Sequence, residues 1–472
     1  MITIALAVRN LLRNHRRSLA TVLAMVIGSV SILLFGGYVQ NIICGLQTDY
    51  VRGGGHLALQ HRDYFLYGSG DPTAYGIAGY AHVIDVIRHD PVLAPLLTVA
   101  TPTLDFGGIA GNFAAGASRT IFASGVVVDD QNAMQRWNDY EFPGAPEVLS
   151  LTGTAADAAV IGTGVARVLR LCGPLRVANC PEPTAVPTGS DSHADSNLHG
   201  DALPADIRRL ASRDAPSDDG PLDGTRIELL AATTTGAPNV ARLRVTKAVD
   251  LGVKEADDNF VGLHLPAAQR LLYGSAMPQV TSISLQLHHT DQIPQARQRL
   301  DELLATTLHD VPLAVYDFRA LNPYYGQTVG MFKAIFGFIA VLIGAIVLFT
   351  VGNTMNAAIV ERTVEIGTLR AIGLRRAGIR RLFVCEALLL GAVGALAGML
   401  IALLVAALIN HSGLTWTPPG RIDPIHLHVR VWGEWTLLSG TALGLLTVAM
   451  LSAWWPARRA ARLPVVEALR HV

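Results

Sequence analysis

Four stretches of this chain are too long, too apolar and too poor in charge for a water-soluble fold. A helix needs about 20 apolar residues to cross the hydrocarbon core of a bilayer. The first stretch runs from Leu19 to Ile43, inside an uncharged run covering 18–48. The others are centred on about 334–360, 387–408 and 435–455. Half of the 472 residues are hydrophobic and only 16% are charged, against about 25% in soluble domains. The deficit of charge sits in these four runs, so the reading is four transmembrane helices. The first run is preceded by Arg9, Arg13, Arg16 and Arg17, as a signal peptide would be. It far exceeds the roughly 7–15 residues of a signal-peptide apolar region. Bulky Ile42 and Ile43 precede Cys44, where a lipoprotein signal would carry a small residue. The run reads as an anchor.

Charge gives the direction. Between Asp49 and Lys333 lie 31 of the 37 acidic residues but only 21 of the 37 basic ones. Arginines crowd the other segments: the amphipathic stretch 1–17, the connection holding Arg362, Arg370, Arg375, Arg376, Arg380 and Arg381, and the tail with Arg458, Arg459, Arg462 and Arg470. Lys/Arg excess marks the cytoplasmic side. Four spans with both termini in the cytoplasm satisfy every segment and place 49–332 outside. The acidic middle and the absence of a basic stripe with interleaved aromatics exclude nucleic acid as a partner; membrane lipid is implied by the spans.

The outer region begins with an alternating strand at His56–Gln60, a helical spacing over Ala81–His89 that stops before Pro91, and an extended Leu97–Leu104. The pattern recurs before the second span: alternation over Val280–Leu287, a helix over Asp291–Leu308 with Asp291 as N-cap, and an extended Val311–Tyr316. Two strand–helix–strand units therefore flank everything between them. The fold class expected is a membrane protein of four transmembrane α-helices with a large two-lobed α+β extracytoplasmic domain between helices 1 and 2. The membrane-proximal lobe covers about 49–107 and 278–325, and the inserted lobe about 108–277. Within the latter, Arg119–Val128, Thr225–Ala231 and Val240–Ala248 read as strands and Asp157–Leu171 as a helix. The stretch 172–223 is rich in Pro, Asp, Ser and Gly and cannot bury enough apolar surface to order itself; it reads as a mobile insertion. Cys172 and Cys180 lie at its start. Outside the cytoplasm a disulfide between them is allowed, with two free thiols as the alternative.

The patterns for chemistry are sparse. A phosphate-binding GxxxxGK[ST] loop needs a Lys, and the only lysines are Lys247, Lys254 and Lys333, none after a Gly-rich loop. Neither GxSxG nor HExxH occurs. His288-His289 and His426-x-His428 have ligand-like spacing, but no further Cys or His is spaced to complete a zinc site. The expectation is no catalytic residue, no metal and no cofactor on this chain. Gly394 and Gly398, and Gly440 and Gly444, are four apart; such pairs let helices approach closely, either between subunits or within one bundle.

The second span runs into ERTVEIGTLRAIGLRR. A helical continuation would put Glu361 and Glu365 on one face. Ile366, Gly367, Leu369, Arg370, Ala371 and Ile372 follow as a short amphipathic helix ended by Gly373, then Arg375 and Arg376. A helix leaving the bilayer into a short exposed helix makes a suitable lever for a cytoplasmic partner; the plain alternative is an ordinary basic loop.

ERTVEIGTLRAIGLRRAGIRRLFVCEALLLG resembles the FtsX-type permease segment shared by MacB, LolC and LolE, as do the tail PARRAARLPVVEALR and the start AVRNLLRNHRRSLATVLAMVIGSV. AVIGTGVARVL, TRIELLAATTTGAPNVARLRVTKAVD and DDNFVGLHLPAAQRLL resemble the MacB-like periplasmic core. The resemblance covers nearly the whole chain, with 333–472 as the FtsX-like permease domain. It implies that Glu361, Arg362, Glu365 to Gly367, Leu369 to Gly373, Arg375 and Arg376 form the helix that docks on an ATPase. It further implies a cytoplasmic ABC ATP-binding subunit carrying ATP and Mg, a second permease copy or paralogue, a periplasmic adaptor or carrier, and the bacterial inner membrane as location. The expected function is coupling of a partner's ATP hydrolysis to a periplasmic shape change that exports or extracts a lipoprotein, lipid, peptide or drug. An FtsX-like regulator of a cell-wall hydrolase is the alternative. Without a phosphate-binding loop, and in GGGHLALQ and the TPPG before Arg421, the chain is more like LolC and LolE.

Overall fold

The structure is a computed structural model; it describes residues 9, 13, 15–68, 71–142, 148–178, 180, 224–417 and 424–462. Most of 1–17, the stretch 181–223 with its histidines, 418–423 with the rest of the TPPG segment and Arg421, and the tail from 463 lie outside the described residues. The chain divides into two compact units. One comprises Met1–Thr48, Asn322–Pro418 and Pro424–Val472, the other Asp49–Leu321 with Pro419–Asp423.

The second of these units is built on one nine-stranded sheet. Its strands are β1 (Leu57–His61), β2 (Leu97–Asn112), β3 (Ala117–Val126), β4 (Ala158–Gly162), β5 (Arg226–Ala232), β6 (Pro238–Val249), β7 (Phe260–His264), β8 (Ser282–Leu287) and β9 (Leu313–Asp317). Their spatial order is β9-β1-β8-β2-β3-β7-β4-β6-β5. The first four, with α2 (Tyr80–His89) between β1 and β2 and a later helix (Ile293–Ala305) between β8 and β9, make two interleaved β-α-β units of the ferredoxin-like kind. All three of their pairings are antiparallel. Ile84 and Ile87 of α2 and Leu300 and Leu303 of the later helix are buried in one cluster with Leu57, Leu59, Ile283 and Leu285.

The 16-residue β2 leaves this part and enters another. Beyond Thr103 it pairs with β3, and at Ile109–Gly111 with β5 as well. That second pairing closes β2-β3-β7-β4-β6-β5 into a six-stranded ring. Closure brings the β5 backbone close: a Cβ on Gly108 would stand 2.7 Å from the Leu230 carbonyl oxygen. Side chains alternate, with Leu104, Phe106, Ala110, Ile121, Ala123, Ile227, Leu229, Leu243 and Val245 buried. The helices α3 (Val128–Gln135) and α4 (Leu265–Tyr273) follow β3 and β7.

The sequence reading of Asp157–Leu171 as a helix is corrected here. Ala158–Gly162 is a fully buried strand and only Thr163–Val168 is helical. A short apolar run reads alike in either state, and burial on both faces removes the alternation that would have revealed the strand. The helix expected from Asp291 begins at Ile293, which numbers it α5 (Ile293–Ala305), behind a single 3₁₀ turn closed by reciprocal bonds between His289 and Gln292. Cys172 and Cys180 are joined by a disulfide, with Cα atoms 6.2 Å apart.

The other unit holds α1 (His15–Gly54, which continues past the unit boundary), α6 (Pro323–Glu361), α7 (Thr363–Ala371), α8 (Arg376–His411) and α9 (Trp435–Ala460). All but α7 are long and apolar enough to cross a membrane. Their packing depends on small residues. A Cβ on Gly398 would lie 2.5 Å from that of Ser29, and one on Gly394 closer still to that of Met25. Gly394 and Gly398 are thus spent on the seam between α8 and α1 of the same chain, whereas nothing lies within 4 Å of a Cβ placed on Gly440 or Gly444. Thr21 and Thr354 join α1 to α6 through a hydroxyl–hydroxyl hydrogen bond of 3.0 Å.

Candidate coupling site

The end of α6 carries the residues singled out as a lever. The hydrogen-bond ladder continues across it: Arg362 N–H donates to Ala358 O at 3.2 Å and Ile366 N–H to Arg362 O at 2.9 Å. Arg362 itself leaves helical geometry, at φ −98° and ψ 15°, so the lever is two helices with a bend and not one continuous helix. At the bend its guanidinium points inward and donates from Nη1 to Glu386 Oε1 of α8, 3.2 Å away, with both side chains buried.

α7 has an inner and an outer side. Ile366 and Gly367 are buried, Ile366 in one cluster with Ile359, Ile379 and Phe383. Leu369 is 38% exposed and shares a small crevice with Arg362, Glu365, Ile366, Ile379, Leu382 and Phe383. Val364, Ala371 and Ile372 face outward, Ile372 at 80% exposure. Glu361 is exposed at the end of α6, and Glu365 pairs with Arg13. Arg370 is half-buried, while Arg375 and Arg376 are exposed.

Gly373 ends the helix as its sequence position suggests. Its φ is +103°, a conformation that side chains rarely adopt. Gly373 N–H donates to Arg370 O at 3.1 Å and Leu374 N–H to Leu369 O at 3.0 Å, which is the Schellman closure. After it, the Arg375 carbonyl receives the Gly378 N–H at 2.8 Å and α8 begins.

Sequence reasoning missed two partners. Glu386 stands directly before the third apolar run, and an acid there was the available signal, since intramembrane or membrane-edge carboxylates take partners. The Arg380 guanidinium lies 5.1 Å above the Trp454 ring, a contact no spacing rule predicts. Of the histidines with ligand-like spacing, His426 ends a two-residue strand, Ile425–His426, and His428 lies beyond it. Among the described residues, no group of three or more His, Cys, Asp or Glu is placed to hold a metal ion.

Residues 335–465, which contain the bend, α7, α8 and α9, match the family described as FtsX-like permease C-terminal. Among curated proteins the chain is 32% identical to the macrolide export ATP-binding/permease protein MacB of Sodalis glossinidius, over 52% of this chain and 37% of that protein. It is 29% identical to the lipoprotein-releasing system transmembrane protein LolC of Neisseria meningitidis, over 50% of this chain and 56% of that one. An uncharacterized ABC transporter permease of Methanocaldococcus jannaschii is 26% identical, over 46% and 52%. Residues 335–465 thus carry an FtsX-like permease domain, and the chain is similar to permeases of the MacB/LolC/FtsX type. It spans about half the length, or less, of the curated relatives it matches. With its four candidate spans, the chain is a multi-pass membrane protein carrying a soluble domain.

Proposed function

We propose that this chain is the membrane subunit of an ABC transporter in which α7 is the docking helix for a separate ATP-binding subunit. The observation that carries the reading is the division of α7. Its inner side is held by Arg362 and Ile366, while Val364, Ala371 and Ile372 leave apolar surface exposed beside Arg375 and Arg376. A helix fixed from behind and apolar in front transmits a push without yielding. ATP and Mg belong to the partner. Its closure moves α7, the bend passes the motion to α6 and α8, and the outer domain changes shape. A second copy or a paralogue completes the pair, and an adaptor or carrier meets the outer domain.

The arginine distribution supports both termini in the cytoplasm, the unit between α1 and α6 outside, and residence in the bacterial inner membrane. Tryptophans support the same depth. Trp432 and Trp435 are exposed at one end of α9 and Trp455 at the other. Twenty residues of helix separate Trp435 from Trp455, about 30 Å at 1.5 Å per residue, the thickness of the hydrocarbon core. The ferredoxin-like strands and the closed ring, joined through β2, support the two-lobed description of the outer domain, with 49–107 and 278–325 as one lobe and 108–277 as the other. The relatives named for macrolide export and lipoprotein release favour an amphiphilic cargo such as a lipoprotein, lipid, peptide or drug.

The test is a pair of substitutions, Leu369→Asp and Ile372→Asp. Burying a side chain of this size is worth roughly 1.5–3 kcal/mol, so each should weaken capture of the ATPase by about tenfold or more. Both variants should reach the membrane at normal levels, since α7 lies beyond the second span. Full retention of the ATPase and of its stimulation by Ile372→Asp would sink the reading.

A further inference from the structure

The histidines at 288 and 289, unexplained by coupling, belong to a compact cluster in the unit built on the nine-stranded sheet. His56, fully buried, stands at the entry to β1 just after α1 ends. Leu287 N–H donates to its Nδ1 at 3.0 Å. Nδ1 therefore carries no proton, and the ring's proton sits on Nε2, 3.3 Å from Thr290 Oγ1. The same ring makes a T-shaped contact with Trp137, centroids 4.9 Å apart. The Trp137 indole N–H donates to His288 O at 3.0 Å. Two residues on, the Asp139 carboxylate holds His289 Nδ1 at 2.7 Å, and its other oxygen takes the Thr290 N–H at 3.4 Å. The segment Trp137–Asp139, which follows α3, is thus fastened to the turn 287–290, which leads into α5. The segment is tied a second way: Arg52, in the last turn of α1, donates to Trp137 O at 2.7 Å, and Gln131 of α3 donates to Arg52 O at 3.0 Å.

We propose that His56, Asp139 and His289 form a pH-responsive latch that ties the last turn of α1, through Trp137, to the turn that leads into α5. This goes beyond the coupling reading and does not depend on it.

The latch has two limbs of opposite sign. The hydrogen bond and charge of Asp139 raise the His289 pKa above the ordinary value, with Asp291 of its own turn adding to the effect. A raised folded pKa means that the contribution is complete below the unfolded value of about 6.5 and is lost as pH rises through the folded one. For His56, burial pushes the pKa down to about 4, opposed by Asp139 and reinforced by His289. The folded state then resists protonation, so stability falls as pH drops from about 6.5 toward 4. A protonated Nδ1 could no longer accept from Leu287. The titratable and charged groups around the cluster are Asp139 after α3, Asp291 in the turn, His288 at the end of β8, whose Nδ1 lies 3.2 Å from Thr98 Oγ1, and Arg52 of α1. Closure is tightest near pH ~6.5 and loosens on both sides.

The full-length protein in lipid nanodiscs, followed by hydrogen exchange corrected for intrinsic rates, tests this in peptides covering 136–141 and 286–292. Wild-type opening should be least near pH ~6.5, increase by about tenfold or more toward pH ~4.5, and increase toward pH ~8.5 as His289 loses its proton. His289→Gln should remove the alkaline limb, with opening at pH ~6.5 already that of wild type at ~8.5, while keeping the acid limb. Asp139→Asn should do the same, which guards against a folding defect peculiar to either variant. Exchange that is flat with pH in the wild type, or an alkaline limb that survives in either variant, would overturn the latch.

Discussion

The Arg362 guanidinium and the Glu386 carboxylate meet at 3.2 Å with side-chain exposures of 8% and 4%, so the bend between α6 and α7 is pinned to α8 by a buried ion pair. In the pairs Arg299–Asp90 and Arg430–Glu434, by contrast, the arginine is 30% and 29% exposed. Removing one partner strands a charge in the interior, at a cost of about 3–5 kcal/mol, while replacing both with apolar groups of like volume is often neutral. Arg362→Met and Glu386→Leu should each lower the thermal stability of the solubilised protein sharply. The double variant should recover most of the loss. Single variants as stable as wild type would show that water reaches the pair.

The glycine pairs of the spans separate in the same kind of measurement. Gly394→Ala and Gly398→Ala each drive a methyl into α1, against Met25 and Ser29. Overpacking of this kind costs about 1–3 kcal/mol. Gly440→Ala and Gly444→Ala meet nothing within 4 Å and should be neutral, or gain up to about 1 kcal/mol of helix propensity. A loss of stability at Gly440 or Gly444 as large as that at Gly398 would mean that another molecule covers that face.

These two cases also show what the sequence could and could not reveal. The spans were legible because about 20 apolar residues admit few other folds. The end of α7 was legible because Gly373 supplies a positive φ that few residues tolerate. The two strand–helix–strand units were legible from alternation and amphipathic spacing. The bend at Arg362 was not, because it depends on Glu386, 24 residues away, and pairing across helices leaves no periodic trace. The full length of β2 was hidden as well. Gly107 and Gly108 look like a strand end, yet Gly108 is where the ring closes on Leu230. The seam use of Gly394 and Gly398 was open between two readings until α1 was seen against them.

In the unit built on the nine-stranded sheet, Asp90 adds its own loss of stability at acid pH, below that of His56. Arg299 holds its carboxylate through Nε and Nη2 at 3.0 and 2.8 Å, and the Val92 and Leu93 N–H groups donate to the other oxygen at 3.0 Å each. The Arg299 hydrogen bond, aided by these amides, holds the pKa below the usual carboxylate range against the effect of burial. A depressed folded pKa gives stability that is present above the unfolded value of about 3.9 and lost as pH falls through the folded one. Asp90→Asn should therefore lower the melting temperature at neutral pH, with the gap to wild type closing below pH ~4. A gap that stays constant down to pH ~2 would assign the effect to packing and not to ionisation.

The last prediction concerns the far end of α7, the helix proposed to dock on the ATP-binding subunit. Gly373 takes φ +103° so that its own N–H and that of Leu374 can close on Arg370 and Leu369. Ala in a left-handed conformation costs roughly 1–2 kcal/mol. The cheaper outcome for the chain is to open the closure, which frees the last turn of α7 and lets Leu369 and Ile372 lose their common orientation. No core contact is lost, because nothing lies within 4 Å of a Cβ at this position. Gly373→Ala should leave the amount of protein in the membrane and its melting temperature nearly unchanged. Binding of the ATP-binding subunit should weaken, and stimulation of its ATP hydrolysis should fall further than binding does, because a frayed lever docks but transmits poorly. Asn tolerates a left-handed backbone better than Ala, so Gly373→Asn should restore part of both. Equal ATPase stimulation by the Ala and wild-type proteins would show that the rigidity of this turn plays no part in coupling.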